Sequence, residues 1–227
     1  MIENHRVNIF IFAKGTSSRI VNKNLQMLGN LPLFCHAITN ALSSKYADKI
    51  IIDSEDEKIL KIGYMFGATK LKRPDNLATN KATGDDLVYW EASNCKNNEH
   101  MVSLSPCSPF ISADVIDKAI EILNKDKSSV FSAYKEVFYE WRYGVPVYYE
   151  KNKIPNSFDM EPLLYETTGM YANRVGDALK THKRINVENC FPLIVTKLQS
   201  IDINTYEDLE FARIVHRGLN DSNSDNF

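Results

Sequence analysis

Between residues 7 and 123 the chain repeats one pattern four times: a short strand-like run, a small polar loop, then a stretch with helical spacing. The runs fall at 7–12, 49–53, 69–72 and 100–104. Strands that alternate with helices in this way predict a mainly parallel, Rossmann-like α/β sheet with right-handed crossovers and helices on both faces. The loops after the four strands then gather along one edge, where open sheets of this kind bind ligands.

The first unit is the most informative. Val7, Ile9, Phe10, Ile11 and Phe12 form a continuous apolar run suited to a strand covered on both sides. Gly15, Thr16, Ser17 and Ser18 follow, small enough for backbone amides and hydroxyls to approach an anion, with Lys14, Arg19 and Lys23 adding positive charge. The spacing fits neither the P-loop nor the G-x-G-x-x-G fingerprint. Taken alone, these residues leave two readings open: a phosphate-binding loop, or an ordinary exposed connection.

Composition bounds the rest. The 227 residues are 44% hydrophobic and 25% charged, as in a globular chain able to bury a substantial core. A formal net charge of −2 offers no electrostatic footprint for nucleic acid. No signal-peptide pattern opens the sequence and no apolar run approaches the roughly 18 residues of a spanning helix, so a cytoplasmic protein with no membrane partner is expected. Cys35, Cys95, Cys107 and Cys190 are scattered without a C-x-x-C pair, which argues against a disulfide framework or a zinc site.

Along the chain, Phe34, Ile38, Ala41 and Leu42 mark a first helix containing a structural His36. Residues 54–57, S-E-D-E, read as a capping box for a second helix that Gly67 stops. Thr83 and Gly84 open a third, with Leu87 and Trp90 inward and Asp85 and Asp86 as helix-end charges. Ser112 caps a fourth, whose apolar positions are Val115, Ile116, Ala119, Ile120 and Leu123. Residues 134–171 are aromatic-rich and alternating, a β-rich excursion that would cover the site or form an oligomer interface. A helix at 176–182, a strand at 191–195 and a helix from 205 to about 217 complete one domain over 1–219. Residues 220–227 are expected to form a disordered tail.

Six segments in fixed order resemble the cytidylyltransferases that make CMP-sialic (acylneuraminic), CMP-legionaminic, CMP-pseudaminic and CMP-Kdo sugars. They are A-K-G-T-S-S-R-I-x-x-K-N-L, I-I-D-S-E-D-E-K-I, K-R-P-x-x-L-A, S-P-C-S-P-F, T-G-M-Y and S-I-D-I-N-T-Y-E-D-L. Each is weak alone, but the ordered set spans roughly 200 residues. The resemblance implies a nucleotide-diphospho-sugar transferase fold and transfer of CMP from CTP to the anomeric hydroxyl of a 2-keto-3-deoxy sugar acid. Pyrophosphate would leave, with Mg2+ assisting, as a step in surface-glycan synthesis carried out by a homodimer.

Residue by residue, the resemblance assigns Lys14, Ser17, Lys23 and Asn24 to the CTP phosphates and Arg73 to the cytosine end. It assigns Ser105 and Cys107 to the sugar and Asp202, with Asn204, to the metal. Asp202 has a second reading as part of a helix N-cap. Arg142 is read from its chemistry as a carboxylate partner, since a guanidinium matches that group with two parallel hydrogen bonds, or as an exposed arginine. Cys107 is a poor nucleophile candidate because no activating histidine is evident. Three positions depart from the family pattern: Lys14 stands for arginine, Ser105-Pro106-Cys107 for Q-P-T, and Asn204 for a second aspartate. Lysine keeps the charge but not the bidentate fork, and serine shortens a hydrogen-bonding arm. A degenerate member that binds a nucleotide or partner without turnover is the alternative.

Overall fold

The computed structural model describes residues 5–224. Strand β1 (Val7–Phe12) leads through the basic loop to a one-turn 3-10 helix (Lys23–Leu25), a ribbon of β2 (Met27–Leu28) and β3 (Leu31–Pro32), and helix α1 (Leu33–Leu42). Then come β4 (Lys49–Ser54), α2 (Glu57–Met65), β5 (Thr69–Lys72), α3 (Gly84–Ala92), β6 (His100–Leu104) and α4 (Ala113–Leu123). The second half adds β7 (Ser129–Glu136), a hairpin of β8 (Trp141–Arg142) and β9 (Val145–Pro146), and the long β10 (Leu163–Arg174). It closes with α5 (Val175–Thr181), β11 (Cys190–Ile194) and α6 (Tyr206–Ser224).

Among the described residues, seven strands form one sheet in the order β11-β7-β10-β6-β1-β4-β5. β1 pairs parallel with β4 and β6, β4 with β5, and β11 with β7, while β10 runs antiparallel to both its neighbours. The mainly parallel sheet expected from the sequence is present. The excursion, however, is narrower than its aromatic texture suggested, because β7 and β10 lie inside the main sheet and only residues 137–162 leave it. Alternation identifies strands but not the sheet they join, and Met170, Tyr171 and Ala172 of β10 are buried between β6 and β7. The excursion carries exposed aromatics, among them Trp141, Tyr143, Tyr148 and Phe158.

Period-two alternation divides the core. Ile9, Ile11, Ile52, Val102 and Leu104 face Phe34 and Ile38 of α1, Ile59 and Leu60 of α2, and Ile116 and Ile120 of α4. Phe10, Ile51 and Met101 face the opposite way onto Val88 and Ala92 of α3 and Val175 and Ala178 of α5. Helices therefore cover both faces, which is why these strands read as continuous apolar runs.

Several local expectations shift by a residue or two. The N-cap of α2 is Asp56, whose Oδ1 accepts from the amides of Lys58 and Ile59, and Ser54 instead ends β4. Helix α3 does start in a capping box of Thr83 and Asp86, yet its fully inward residues are Val88, Glu91 and Ala92, leaving Leu87 and Trp90 half-buried. Leu42, in the last turn of α1, is exposed. Helix α6 runs on to Ser224 instead of ending near 217, since a nucleated helix adds one hydrogen bond per residue even through a polar sequence. Residues 225–227 of the expected tail lie outside the described residues.

His100, at the start of β6, is buried with Nε2 against Asn124 Oδ1 at 3.1 Å and its ring stacked on His5. Nδ1 has no hydrogen-bond partner among the described residues. Burial pushes its pKa down to about 4, with the nearby His5 and Arg174 acting the same way. Between that value and the ordinary value of about 6.5 the unfolded chain binds more protons than the folded one, so stability falls as pH drops through this window. A urea titration series is expected to lose up to about 3 kcal/mol between pH 7 and 4 from this group, a loss that His100→Gln removes.

Candidate active site

The tips of the parallel strands meet in a cleft of about 270 Å³ lined by Lys14, Arg19, Lys23 and Arg73 together with Thr16, Ser17, Ser18 and Asn24. Four cations on one concave surface suit a polyanion. Gly15 is required at the turn out of β1, because a Cβ there would lie 2.7 Å from the side chain of Asp56. Its amide donates to Glu55 Oε1 at 2.7 Å and so is not available to an anion. The amides of Thr16, Ser17 and Ser18 have no partner among the described residues. Lys14 reaches across the cleft to Asn80 Oδ1 at 2.8 Å, and Asn24 Nδ2 donates to the Lys14 carbonyl at 2.7 Å. Asn24 Oδ1 is buried and unpartnered among the described residues.

A small separate core fixes this loop opposite the segment before α6. Ile20 and Leu28 pack with Leu33, Ile203, Leu209 and Ala212, joining residues about 180 positions apart in sequence. Lys23 Nζ donates to the Ile203 carbonyl at 3.0 Å, and the Ile203 amide donates to the Cys107 carbonyl at 2.9 Å. Lys23, Cys107 and Asp202 are thereby held around one point. Burial pushes the Asp202 carboxyl up, while the Asn204 amide, Lys23 and Arg19 pull it down. The cap of α6 is built without Asp202, because Asp208 accepts from the Thr205 amide and Thr205 Oγ1 accepts from the Asp208 amide. Asn204 donates to Asp202 Oδ2 and its own oxygen accepts from Arg19, so that oxygen already has a partner.

Arg73 lines the cleft but is anchored from below. It is 2% exposed and pairs with Asp53, itself 0% exposed, at 2.8 Å, adding bonds from Nε to Oδ2 and from Nη2 to the Asp53 carbonyl. Trp90 Nε1 lies 3.4 Å from the other oxygen of Asp53.

Beyond Phe12, Leu87 and Cys107, which line both spaces, a second cavity of about 190 Å³ opens. Ser105, Cys107, Asp202 and Asn204 form one side, and Gly84, Val88, Glu91, Thr168, Tyr171 and Arg184 the other. Burial pushes the Cys107 thiol up against the pull of Lys23, which keeps it protonated and argues against a nucleophile. Arg184 stacks its guanidinium 4.9 Å from the Tyr171 ring centre and pairs with Glu166 at 3.2 Å; Glu166 also accepts from the Tyr171 hydroxyl. The Arg184 backbone amide donates to Asp85 Oδ1 at 3.0 Å, which ties Arg184 to the start of α3. Asp85 is therefore more than a helix-end charge.

Of the residues expected from sequence, Lys14, Ser17, Lys23, Asn24 and Arg73 meet in the first cleft, and Ser105, Cys107, Asp202 and Asn204 line the second. Arg142 joins neither. It sits on the β8–β9 hairpin, its side chain 67% exposed and paired with Glu140, because that hairpin leaves the sheet and carries the arginine away. The arginine that reaches the second cavity is Arg184, which together with Glu91 was given no role in sequence, whereas Tyr171 closes the T-G-M-Y segment. Arg184 follows α5 in an unremarkable K-R pair, and Glu91 sits among helix residues with no motif. The only signal for Glu91 was a charge on the otherwise apolar side of α3.

A family model described as cytidylyltransferase matches residues 9–215. The pseudaminic acid cytidylyltransferase of Campylobacter jejuni is 26% identical over 218 residues, covering 90% of this chain and 94% of that one. The 3-deoxy-manno-octulosonate cytidylyltransferase of Thermodesulfovibrio yellowstonii is 25% identical over 240 residues, covering 88% and 94%. Among solved structures, a CMP:2-keto-3-deoxy-manno-octonic acid synthetase complexed with CTP shares the fold with a TM-score of 0.71 at 16% identity, covering 94% of this chain and 99% of that one. A match that runs from β1 into α6 takes in both cavities and the loops that frame them, and this chain belongs to the cytidylyltransferase family of nucleotidyltransferases.

Proposed function

We propose that the protein transfers CMP from CTP to the anomeric hydroxyl of a 2-keto-3-deoxy sugar acid in the cytoplasm, as a step toward a surface glycan. The carrying observation is the pair of adjoining cavities, one lined by four cations and the other by Asp202, Ser105 and Arg184, with Phe12, Leu87 and Cys107 common to both. The anomeric oxygen bonds to the α-phosphorus, the bond to the β-phosphate oxygen breaks, and pyrophosphate leaves with that electron pair while the hydroxyl proton is released. Negative charge grows on the leaving pyrophosphate, and Lys14 and Lys23 are suited to stabilise it with the loop amides and Ser17. Asn24 holds the loop by its bond to the Lys14 carbonyl.

The residues fit one Mg2+. Asp202 is a cavity-lining carboxylate that burial destabilises and that the cap of α6 does not use. No cluster of three or more His, Cys, Asp or Glu occurs among the described residues, so further oxygens would come from phosphate and water, the usual arrangement for this ion. When bound, Mg2+ would neutralise phosphate charge and polarise the reacting phosphorus. Asp202 would hold it, with Asn204 joining only by releasing Arg19.

Arg184 takes the role first read for Arg142, that of partner to the acceptor carboxylate, because a planar guanidinium inside the cavity offers paired donors. A Cβ on Gly84 would lie 2.6 Å from Arg184 Nη1. Gly84→Ala is thus expected to keep the fold while raising the KM for the acid about tenfold with the KM for CTP unchanged, measured by initial rates. A homodimer, with the aromatic excursion as its natural interface, completes the reading. Purified protein with CTP, Mg2+ and N-acetylneuraminic, pseudaminic, legionaminic and Kdo acids should release pyrophosphate with at least one. Stabilisation by CTP without release from any of them would instead indicate a binding-only member.

A further inference from the structure

Glu91 is fully buried on the inner face of α3, yet it lines the cavity that also holds Asp202 and Arg184. Ser103 of β6 donates its hydroxyl to Glu91 Oε2. Oε1 is buried and has no partner among the described residues. A carboxyl group with an unsatisfied oxygen inside a protein is costly, and such a group persists where it serves a ligand. The surroundings also fix its protonation: burial and the neighbouring Asp53 push it well above the usual carboxylate range, outweighing Arg73 and Ser103. With Ser103 donating to Oε2, the proton belongs on Oε1.

From this geometry we infer that Glu91 is a specificity-determining residue whose Oε1 hydroxyl donates a hydrogen bond to an uncharged oxygen on the acceptor acid. An N-acyl carbonyl and a sugar hydroxyl share that chemistry. The inference rests on the reading of this cavity as the acceptor site. The walls beside Glu91 are Val88, Leu87 and Phe12, apolar surfaces that suit the carbon frame of such a substituent. A buried polar group of this kind discriminates strongly, because an analogue lacking the oxygen leaves it unpaired.

The test uses the whole enzyme with N-acetylneuraminic acid, its 5-deamino-5-hydroxy counterpart and Kdo as probes, taking the acid that the unaltered protein turns over best. Glu91→Gln keeps a donor in place and should hold the KM for that acid within about threefold, whereas Glu91→Leu should raise it about tenfold with the KM for CTP unchanged. Glu91→Leu should also melt no lower than the unaltered protein, since it removes an unsatisfied buried group. A purely structural role predicts the reverse, a lower melting temperature with an unchanged acid KM, and that result would overturn the inference. So would a rise in the KM for CTP matching that for the acid. If Glu91→Leu does not fold, infrared difference spectra of the unaltered protein still decide. A protonated-carboxyl band absent from Glu91→Gln should shift when the acid is added and not with CTP alone, and a band indifferent to the acid refutes the inference. Failure of the unaltered protein to release pyrophosphate with any acid would count against the acceptor-site reading itself, independently of Glu91.

Discussion

Asp202→Ala is expected to lower turnover by at least about 100-fold while shifting the melting temperature by no more than about 2 °C. The reasoning combines two geometric facts. Asp202 faces the cavity between the cation-lined cleft and Arg184, where a lost carboxylate removes the proposed Mg2+ ligand. The free amides at the start of α6 are served by Thr205 and Asp208, so the helix does not depend on Asp202. Thr205→Ala is the companion measurement. It removes a cap, costs about 1 kcal/mol, and should leave turnover largely intact. Steady-state pyrophosphate release and thermal melting, run on both variants, separate the two roles. An Asp202→Ala protein that melts as low as Thr205→Ala and turns over normally would return Asp202 to a capping role.

The second large effect concerns stability. Asp53→Ala leaves the Arg73 guanidinium buried without its carboxylate and is expected to cost about 3–5 kcal/mol. For a chain of this length that is a fall of about 10 °C in melting temperature. Burial pushes the Asp53 carboxyl up, and Arg73 and Trp90 oppose that push, so the pair persists through mutual compensation. Replacing both partners together, as Asp53→Leu with Arg73→Met, should recover most of the loss, because neither charge is then stranded. The same double variant should bind CTP less well, since it strips one of the four cations from the cleft. Recovery of stability without recovery of CTP affinity, measured by calorimetry, would show that Asp53 positions a working arginine; undiminished CTP affinity would reduce Arg73 to a structural partner.

Much of the architecture was legible in the order of residues. The apolar run of β1, the K-I-I-I-D of β4 and the Thr83–Asp86 capping box of α3 follow from period, burial and chain-end chemistry, all of which act within a few residues. The basic loop and the I-D-I-N-T segment were likewise visible as motifs, and the third small core brings them face to face.

What sequence did not determine is whatever depends on partners far along the chain. On paper Arg142 was the arginine read as a carboxylate partner; that Arg184 lines the second cavity instead rests on a hairpin that leaves the sheet with Arg142 and on Gly84, a hundred residues from Arg184, making room for the guanidinium. Arg73 reads as a ligand residue, while its anchoring by Asp53 depends on the parallel register of β4 and β5. The placement of β7 and β10 inside the sheet follows from pairing, which local alternation does not encode. Glu91 is the clearest case. Its sequence neighbourhood describes a helix, and only the packing of α3 against β6 turns it into a buried acid with one oxygen unpaired, since burial and desolvation belong to the assembled structure and to no single segment.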